Sequence, residues 1–408
     1  MADRAARHTF NTITALEIGA NRWGKSVSPM GLSKRFAYFE DDKTFTMVAG
    51  IQEGEDVQRA LALGLSYRKN RPLRLVLPDS HLHATQMRLG WIKPGIVSLW
   101  SHNGRDARKR RQPSEATLLS RVGKARWSKP TPSLSKRATI LGSFAEWIDS
   151  LPDVQPAHRQ DYRSWQCRGR GVLRVERRQS GVDVTAGVNR SGYDHRIFEL
   201  AGAPDARTIE KIKALVLVAV EQRLGDQDAR HMDAENWLQS VLREHSDQLG
   251  LAEPVIRELA AWRPRSEATD AGAVWGRGFV DLVGLDSLGT VHLVETKVGP
   301  DDLLVLQGLD YYIWSLGTKN KRRLCERLDV DDQATAVIDY VIGGSVGSDG
   351  AVGVPLVSEH TRAQVDALRD DVVWSFYTTQ NWFPGPEISI HRLGARGIPK
   401  SSAKSAGD

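Results

Sequence analysis

The stretch Phe279-VDLVGLDSLGTVHLVETKVG sets two short apolar runs on either side of Asp286-Ser287-Leu288-Gly289 and embeds charged residues inside them. Alternation around a turn-forming tetrapeptide predicts an antiparallel hairpin. On that reading Asp281 shares a face with Phe279, Val283 and Leu285, while Glu295 and Lys297 share one with Val291 and Leu293, because successive strand side chains point to opposite faces. A register that brings the two faces together gathers two carboxylates and an ammonium among apolar neighbours, which is costly for isolated charges. A divalent cation resolves the cost. Asp and Glu oxygens suit Mg2+ or Mn2+, and Lys297 is spaced to orient a water, help deprotonate it and stabilise charge on a phosphate.

Asp281, thirteen intervening residues and then Glu295-Thr296-Lys297 resemble the Asp and Glu-x-Lys pattern of the PD-(D/E)XK nuclease superfamily, with Val280 where the motif has proline. The next segment, Asp301-DLLVLQGLDYYIWSL, reads as a helix with Gln307 and Tyr311 four apart and so on one face. This Gln-x-x-x-Tyr spacing looks like the RecB-like branch of the superfamily, where the pair lies beside the active site. A buried polar pair satisfying its own hydrogen bonds is the structural alternative. Gly308 in mid-helix points to close packing. Upstream, Asp233-AENWLQSVLREH predicts an amphipathic helix with Trp237, Leu238, Val241 and Leu242 inward and Asp233 as N-cap. Glu235 and Glu244 flank its apolar stripe, and periodicity does not choose between them; the resemblance chooses Glu235.

The resemblance covers about 235–345 and implies a restriction-endonuclease-like mixed sheet flanked by helices. It implies Asp281, Glu295 and Lys297 as catalytic residues, and Asp281, Glu295, Glu235 and the Thr296 carbonyl around Mg2+ or Mn2+. It further implies Gln307 and Tyr311 beside the substrate. Arg257, Arg263, Arg265 and Arg277 lead into the Asp281 strand, and Arg277 is the candidate to clamp a phosphate. The expected activity is that of a Mg-dependent deoxyribonuclease, read as an endonuclease, of the kind found in restriction, repair or phage defence. The alternative is a catalytically inactive nucleic-acid-binding module on the same fold. The expected partner is DNA, with a homodimer or a protein partner to complete a double-strand cut.

A chain of 408 residues exceeds one ordinary core and suits two or three domains. Residues 1–100 read as a small α/β or α+β unit, with strands Arg35 to Phe39, Thr44 to Val48 and Leu73 to Leu77 and a helix near Asp56 to Leu65. Residues 101–137 carry eleven Lys or Arg against Asp106 and Glu115, punctuated by Pro113, Pro130 and Pro132. They read as a basic linker or a phosphate-contacting arm. Residues 138–225 read as an α+β middle domain with a basic hairpin turning at Ser180-Gly181 and a largely buried helix from Thr208 to Leu224. Residues 226–395 form the nuclease-like domain, running helix, loop, strand, strand, helix, strand, helix, strand, and 396–408 a disordered tail. The overall class is α/β.

Formal net charge is +6 and pI about 9.3, which favours a polyanionic partner. Cys167 and Cys325 are the only cysteines and lack CxxC spacing, so a disulfide framework or zinc site is not indicated. With no apolar leader or long apolar run, the chain reads as cytoplasmic, with no membrane partner. Gly19-ANRW-Gly24-Lys25-Ser26 matches the P-loop expression, but Pro29 and Gly31 interrupt the helix it needs. His81 and His83 lack a third ligand nearby and read as exposed loop residues.

Overall fold

Strands and helices alternate along the chain, and the strands gather into three separate sheets. The computed structural model describes residues 15–19, 22–23, 36–50, 54–122, 142–158, 162–178, 181–189, 194–225, 233–265, 275–347, 351–383 and 387–396. The fold is α/β, with two five-stranded sheets and a C-terminal six-stranded mixed sheet flanked by helices. Among the described residues no helix is long and apolar enough to cross a membrane.

The N-terminal unit comprises β1 (Phe36–Glu40), β2 (Phe45–Ala49), α1 (Gly54–Tyr67), β3 (Leu73–Pro78), α2 (His83–Leu89), β4 (Val97–His102), β5 (Ala107–Lys109) and α3 (Glu115–Val122). Its strands lie in sequence order. This corrects the boundary of the expected basic linker: β5 and α3 extend the unit to residue 122. The arginines had masked the strand. Arg108 and Arg110 of that stretch bind Asp79 at 3.3 and 2.6 Å, and Leu118 and Val122 are buried. Residues 123–137, the rest of the expected linker, residues 138–141, the first of the expected middle domain, and the tail from 397 lie outside the described residues.

The middle unit has α4 (Gly142–Asp149), an antiparallel sheet of β6 (Val154–His158), β7 (Tyr162–Cys167), β8 (Arg170–Arg177), β9 (Val182–Gly187) and β10 (His195–Leu200), and α5 (Ala206–Gly225). Trp165, Leu173, Val175 and Val184 fill one face with Ile212 and Val216 of α5. The expectation that α5 is largely buried is corrected. It buries one stripe, Ile212, Val216, Ala219 and Arg223, while Leu217 and Val218 stay 49% and 45% exposed, because only one side of α5 meets the sheet.

The C-terminal unit starts with α6 (Ala234–Glu244), followed by β11 (Ala252–Pro264), β12 (Trp275–Leu285), β13 (Val291–Val298), α7 (Leu304–Ser315), α8 (Thr318–Leu328), β14 (Ala336–Gly343), α9 (Glu359–Asp366), β15 (Trp374–Gln380) and β16 (Ser389–Arg396). The strands lie in chain order; β13, β14 and β15 are mutually parallel, and the other neighbours are antiparallel. The stretch read as a loop after α6 is the long strand β11, and α8 is an additional helix. Asp233 stands at the N-cap position of α6, but its side chain makes no capping bond; it accepts from Asn236 Nδ2 at 2.7 Å and pairs with Arg170 of the middle unit.

Two cores sandwich the C-terminal sheet. Trp237, Leu238 and Val241 of α6 pack against Leu282, Val294 and Val341. On the other face α7 packs on Leu293, Ile338 and Tyr340, and this core runs without a break into Met47, Leu61 and Leu75 of the N-terminal unit. Gly308 lets α7 approach the sheet, since a Cβ there would lie 2.6 Å from the Tyr340 ring. Each large apolar side chain so buried contributes roughly 1.5–3 kcal/mol, which makes the N-terminal unit an integral part of the support behind α7.

Candidate active site

The β12–β13 ladder runs from Leu285 opposite Val291 to Leu282 opposite Val294 and stops one step before Asp281 and Glu295. On its other side β12 pairs with β11 at Arg257–Leu282 and Leu259–Val280, so Glu258 stands opposite Asp281. Glu258 has a left-handed backbone, φ 53°, an uncommon conformation for a residue with a Cβ. Here the strict alternation expected for Asp281 fails: Val280 and Val283, three apart, both enter the core beneath α7, while Leu282 faces α6. The reading that set Asp281 on the face of Val283 and Leu285 by simple alternation is therefore corrected. A local disruption of two paired strands re-aims side chains in the manner of a β-bulge.

Asp281 uses this freedom to reach across to β13. Its Oδ2 accepts the Thr296 backbone N–H at 2.7 Å and the Thr296 hydroxyl at 2.8 Å. Thr296 Oγ1 in turn accepts from Gln239 Nε2 of α6 at 3.4 Å. Lys297 Nζ lies 3.3 Å from Glu235 Oε2 and 3.7 Å from Glu295 Oε1. The structure thus brings together Asp281, Glu295, Thr296, Lys297 and Glu235 from two strands and one helix. Glu244, the other helical carboxylate considered, is turned away: it accepts from Gln155 Nε2 at 2.9 Å and Arg168 Nη1 at 2.5 Å of the middle unit.

The electrostatics of this cluster are unbalanced. Burial raises the Asp281 carboxyl to about 6, against the pull of Lys297 and the two Thr296 hydrogen bonds. Burial and then the charge of Asp281 push Glu295 well above the ordinary carboxyl range. Burial works against the Lys297 ammonium, but Glu295, Asp281 and Glu235 overcome it and hold its pKa up. Glu295 is 4% exposed, and its Oε2 is buried with no hydrogen-bond partner. Three carboxylates face one lysine, so two negative charges lack a counterpart when all are ionised. An all-oxygen donor set with a surplus of charge and an unused buried acceptor fits a hard divalent cation. Among the described residues no three His, Cys, Asp or Glu side chains close to metal-binding distance of one another; the Lys297 ammonium stands between Glu235 and Glu295.

Helix α7 supports the site from beneath. The Tyr311 hydroxyl accepts the Phe279 N–H at 3.1 Å, fixing β12 two residues before Asp281, and burial raises its pKa. One turn earlier, Gln307 Oε1 is buried without a partner. Arg277 is exposed, its guanidinium 5.1 Å from the centre of the Phe279 ring, and no ion pair joins it to the cluster among the described residues. Two arginines of β11 turn inward: Arg257 is 5% exposed and donates to Gln166, Asn236 and Gln239, while Arg263 Nε lies 3.1 Å from Asp310 Oδ2 and its charge pulls down the carboxyl of Glu295. Arg263 is among the four arginines the sequence offers, of which Arg277 is the expected clamp; sequence reasoning missed Asp310 and Glu258. The available signal was Asp310, a single acid inside the apolar helix LVLQGLDYYIWS.

Two further motifs stay apart from the cluster. Of the P-loop-like segment only Gly19, Arg22 and Trp23 are described; Gly24, Lys25 and Ser26 lie outside the described residues. The expected exposure of His81 and His83 is corrected. His81 is 5% exposed, with Nδ1 2.7 Å from Ser80 Oγ, and burial drives His83 down to about 4, because the turn after β3 folds back under Trp275. Searches of protein-family models, curated proteins and solved structures found no match to this chain.

Proposed function

We propose that the chain is a divalent-metal-dependent deoxyribonuclease, with Asp281, Glu295 and Lys297 as its catalytic residues and a place in the RecB-like branch of the PD-(D/E)XK superfamily. The observation that carries this reading is the pair of buried carboxylates, Asp281 and Glu295, with raised pKa values and an unused Glu295 oxygen beside Lys297. Perturbed, mutually coupled acids in a strand-edge cluster are a signature of functional sites.

Asp281, Glu295, Glu235 and the Thr296 carbonyl would hold Mg2+ or Mn2+, which supplies Lewis acidity toward a phosphoryl oxygen and acidifies a water. Thr296 holds the Asp281 carboxylate through its N–H and hydroxyl, so a ligand oxygen is presented without rotamer search. Glu235 and Glu295 keep the Lys297 ammonium protonated and aimed between them. Lys297 stabilises negative charge gathering on the phosphate and orients the attacking water or helps to deprotonate it. Tyr311 fixes the strand that carries Asp281, and Arg277 stands exposed where a neighbouring phosphate can meet it. The buried free thiols of Cys167 and Cys325 suit a reducing, cytoplasmic setting.

The test is cleavage of supercoiled plasmid, linear duplex and single-stranded DNA by the wild type, Asp281→Ala and Lys297→Ala, with Mg2+, Mn2+ or EDTA. Metal-dependent cutting that both substitutions abolish supports the proposal. Salt-sensitive DNA binding with no turnover under any of these ions overturns it in favour of a non-catalytic binding module.

A further inference from the structure

Beside the cluster, between the middle sheet and the C-terminal unit, lies a cavity of about 300 Å³, the lower end of the roughly 300–1,000 Å³ range of small-ligand sites. Its floor is the polar face of the middle sheet. Ser164 pairs with Arg174 and Arg174 with Thr185 across three strands, and this row turns away from the core that buries Trp165, Val175 and Val184. Its opposite wall is Asn236 and Glu258. Asn236 follows Glu235 on α6, and Glu258 is the β11 residue facing Asp281, so the cavity is one residue from two members of the proposed active site.

The geometry points to this cavity as the receptor for a single unstacked nucleobase of the substrate strand. The inference rests on the nuclease reading for its substrate and not for its geometry. Three features distinguish the cavity from a chance gap between units. The left-handed Glu258 spends backbone strain on its wall. Gly169, φ 75°, seats the β7–β8 turn directly on the start of α6, where a Cβ would fall 2.1 Å from the Asn236 carbonyl. The Arg174 guanidinium stacks 4.0 Å from the centre of the Tyr162 ring, making a flat, polarised platform of the kind on which bases stack.

The lining chemistry selects a base over a phosphate. Arg174 is already paired with Glu176 at 2.9 Å and Arg170 with Asp233, and Glu258 adds a carboxylate that repels an anion. The Gln166 and Asn236 amides are engaged as well, by Arg257, Glu258 and Asp233, but each carries a second N–H and a second carbonyl lone pair beyond those bonds. Gln166 is held in one orientation between Arg257 and Glu258, donating to Glu258 Oε2 at 3.3 Å. Fixed donors and acceptors beside a stacking surface read the pairing edge of a base that has left the helix.

The experiment uses full-length protein carrying Asp281→Asn to prevent cleavage, bound to duplexes in which 2-aminopurine is moved one position at a time. The expected result is a several-fold rise in emission at one position, lost when Thr185→Trp fills the cavity and reduced by Arg174→Met, with the thermal melting of Arg174→Met little changed. Duplex binding with no position that brightens, or brightening that survives both substitutions, overturns the inference while leaving the nuclease proposal intact. Brightening by a wild type that never cuts DNA supports the cavity and fails the nuclease reading. If no duplex binds, calorimetric titration with the four deoxynucleoside monophosphates decides: heat that Arg174→Met removes supports the inference, and no heat overturns it.

Discussion

Arg88 of α2 and Asp310 of α7 meet as a two-point ion pair, Nε to Oδ1 at 2.8 Å and Nη2 to Oδ2 at 2.7 Å, with neither side chain exposed at all. Arg263 completes the arrangement from β11. The N-terminal unit thus reaches through α7 to the arginine whose charge bears on Glu295. Arg88→Ala leaves Asp310 buried with half of its compensation, and a broken buried pair costs about 3–5 kcal/mol. Urea denaturation should show that loss as a lower midpoint at an unchanged slope; a midpoint within error of the wild type would remove this pair from the stability of the fold.

Asp281 binds its proton more tightly in the folded chain, at about 6, than at its ordinary value of 3.8. A carboxyl raised in this way favours the folded state when protonated and opposes it increasingly as pH rises from 3.8 through 6. Asp281→Asn should therefore stabilise the metal-free protein at neutral pH by up to about 3 kcal/mol while abolishing cleavage. The gain should vanish below the unfolded value. Melting curves in EDTA at acid and neutral pH check this, and an equal shift at both would refute the electrostatic origin.

At the far end of β13, His292 Nδ1 lies 2.5 Å from the fully buried Asp339 and Nε2 lies 3.5 Å from Asp286. Burial works against protonation there, but the bonds and charges of Asp339 and Asp286 outweigh it and raise the pKa above 6.5. The stability this contributes is full below the unfolded value and is lost as pH rises through the folded one. Wild-type melting temperature should fall more steeply than that of His292→Gln between about pH 6 and 8. Parallel slopes would count against the assignment.

Tyr311→Phe removes the acceptor of the Phe279 N–H and should cost about 1–3 kcal/mol if that amide stays unpaired. Because the bond fixes the strand bearing Asp281, kcat should drop further than the loss of folded protein explains. Full kcat in a destabilised variant would confine Tyr311 to structure.

Gly169→Ala forces a Cβ onto the Asn236 carbonyl at a left-handed backbone position. A cost of at least roughly 1–3 kcal/mol is expected, together with faster proteolysis between the middle and C-terminal units. Unchanged melting would mean that the turn does not bear on α6.

Local pattern carried a large part of this protein. The hairpin around Asp286 to Gly289, the helix bearing Gln307 and Tyr311, and the packing role of Gly308 were all legible because periodicity and turn chemistry act over a few residues. Strand β11 was hidden because Arg257, Glu258 and Arg263 break its apolar alternation, and they do so because their partners, Gln166, Asn236 and Asp310, come from distant segments. Strand β5 was hidden for the same reason, Arg108 within it and Arg110 just after it being matched by the distant Asp79.

The amino-acid sequence by itself determined which segments alternate, which coil, and that Asp281, Glu295 and Lys297 would sit on neighbouring strands. Only the tertiary structure decided that Glu235 and not Glu244 meets Lys297, that alternation breaks at Asp281 so that its carboxylate turns onto Thr296, and that the N-terminal unit is welded to α7 through Arg88. Those outcomes depend on charges and volumes brought together across long stretches of chain. A buried charge chooses its place by the partner that compensates it, and no local rule names that partner.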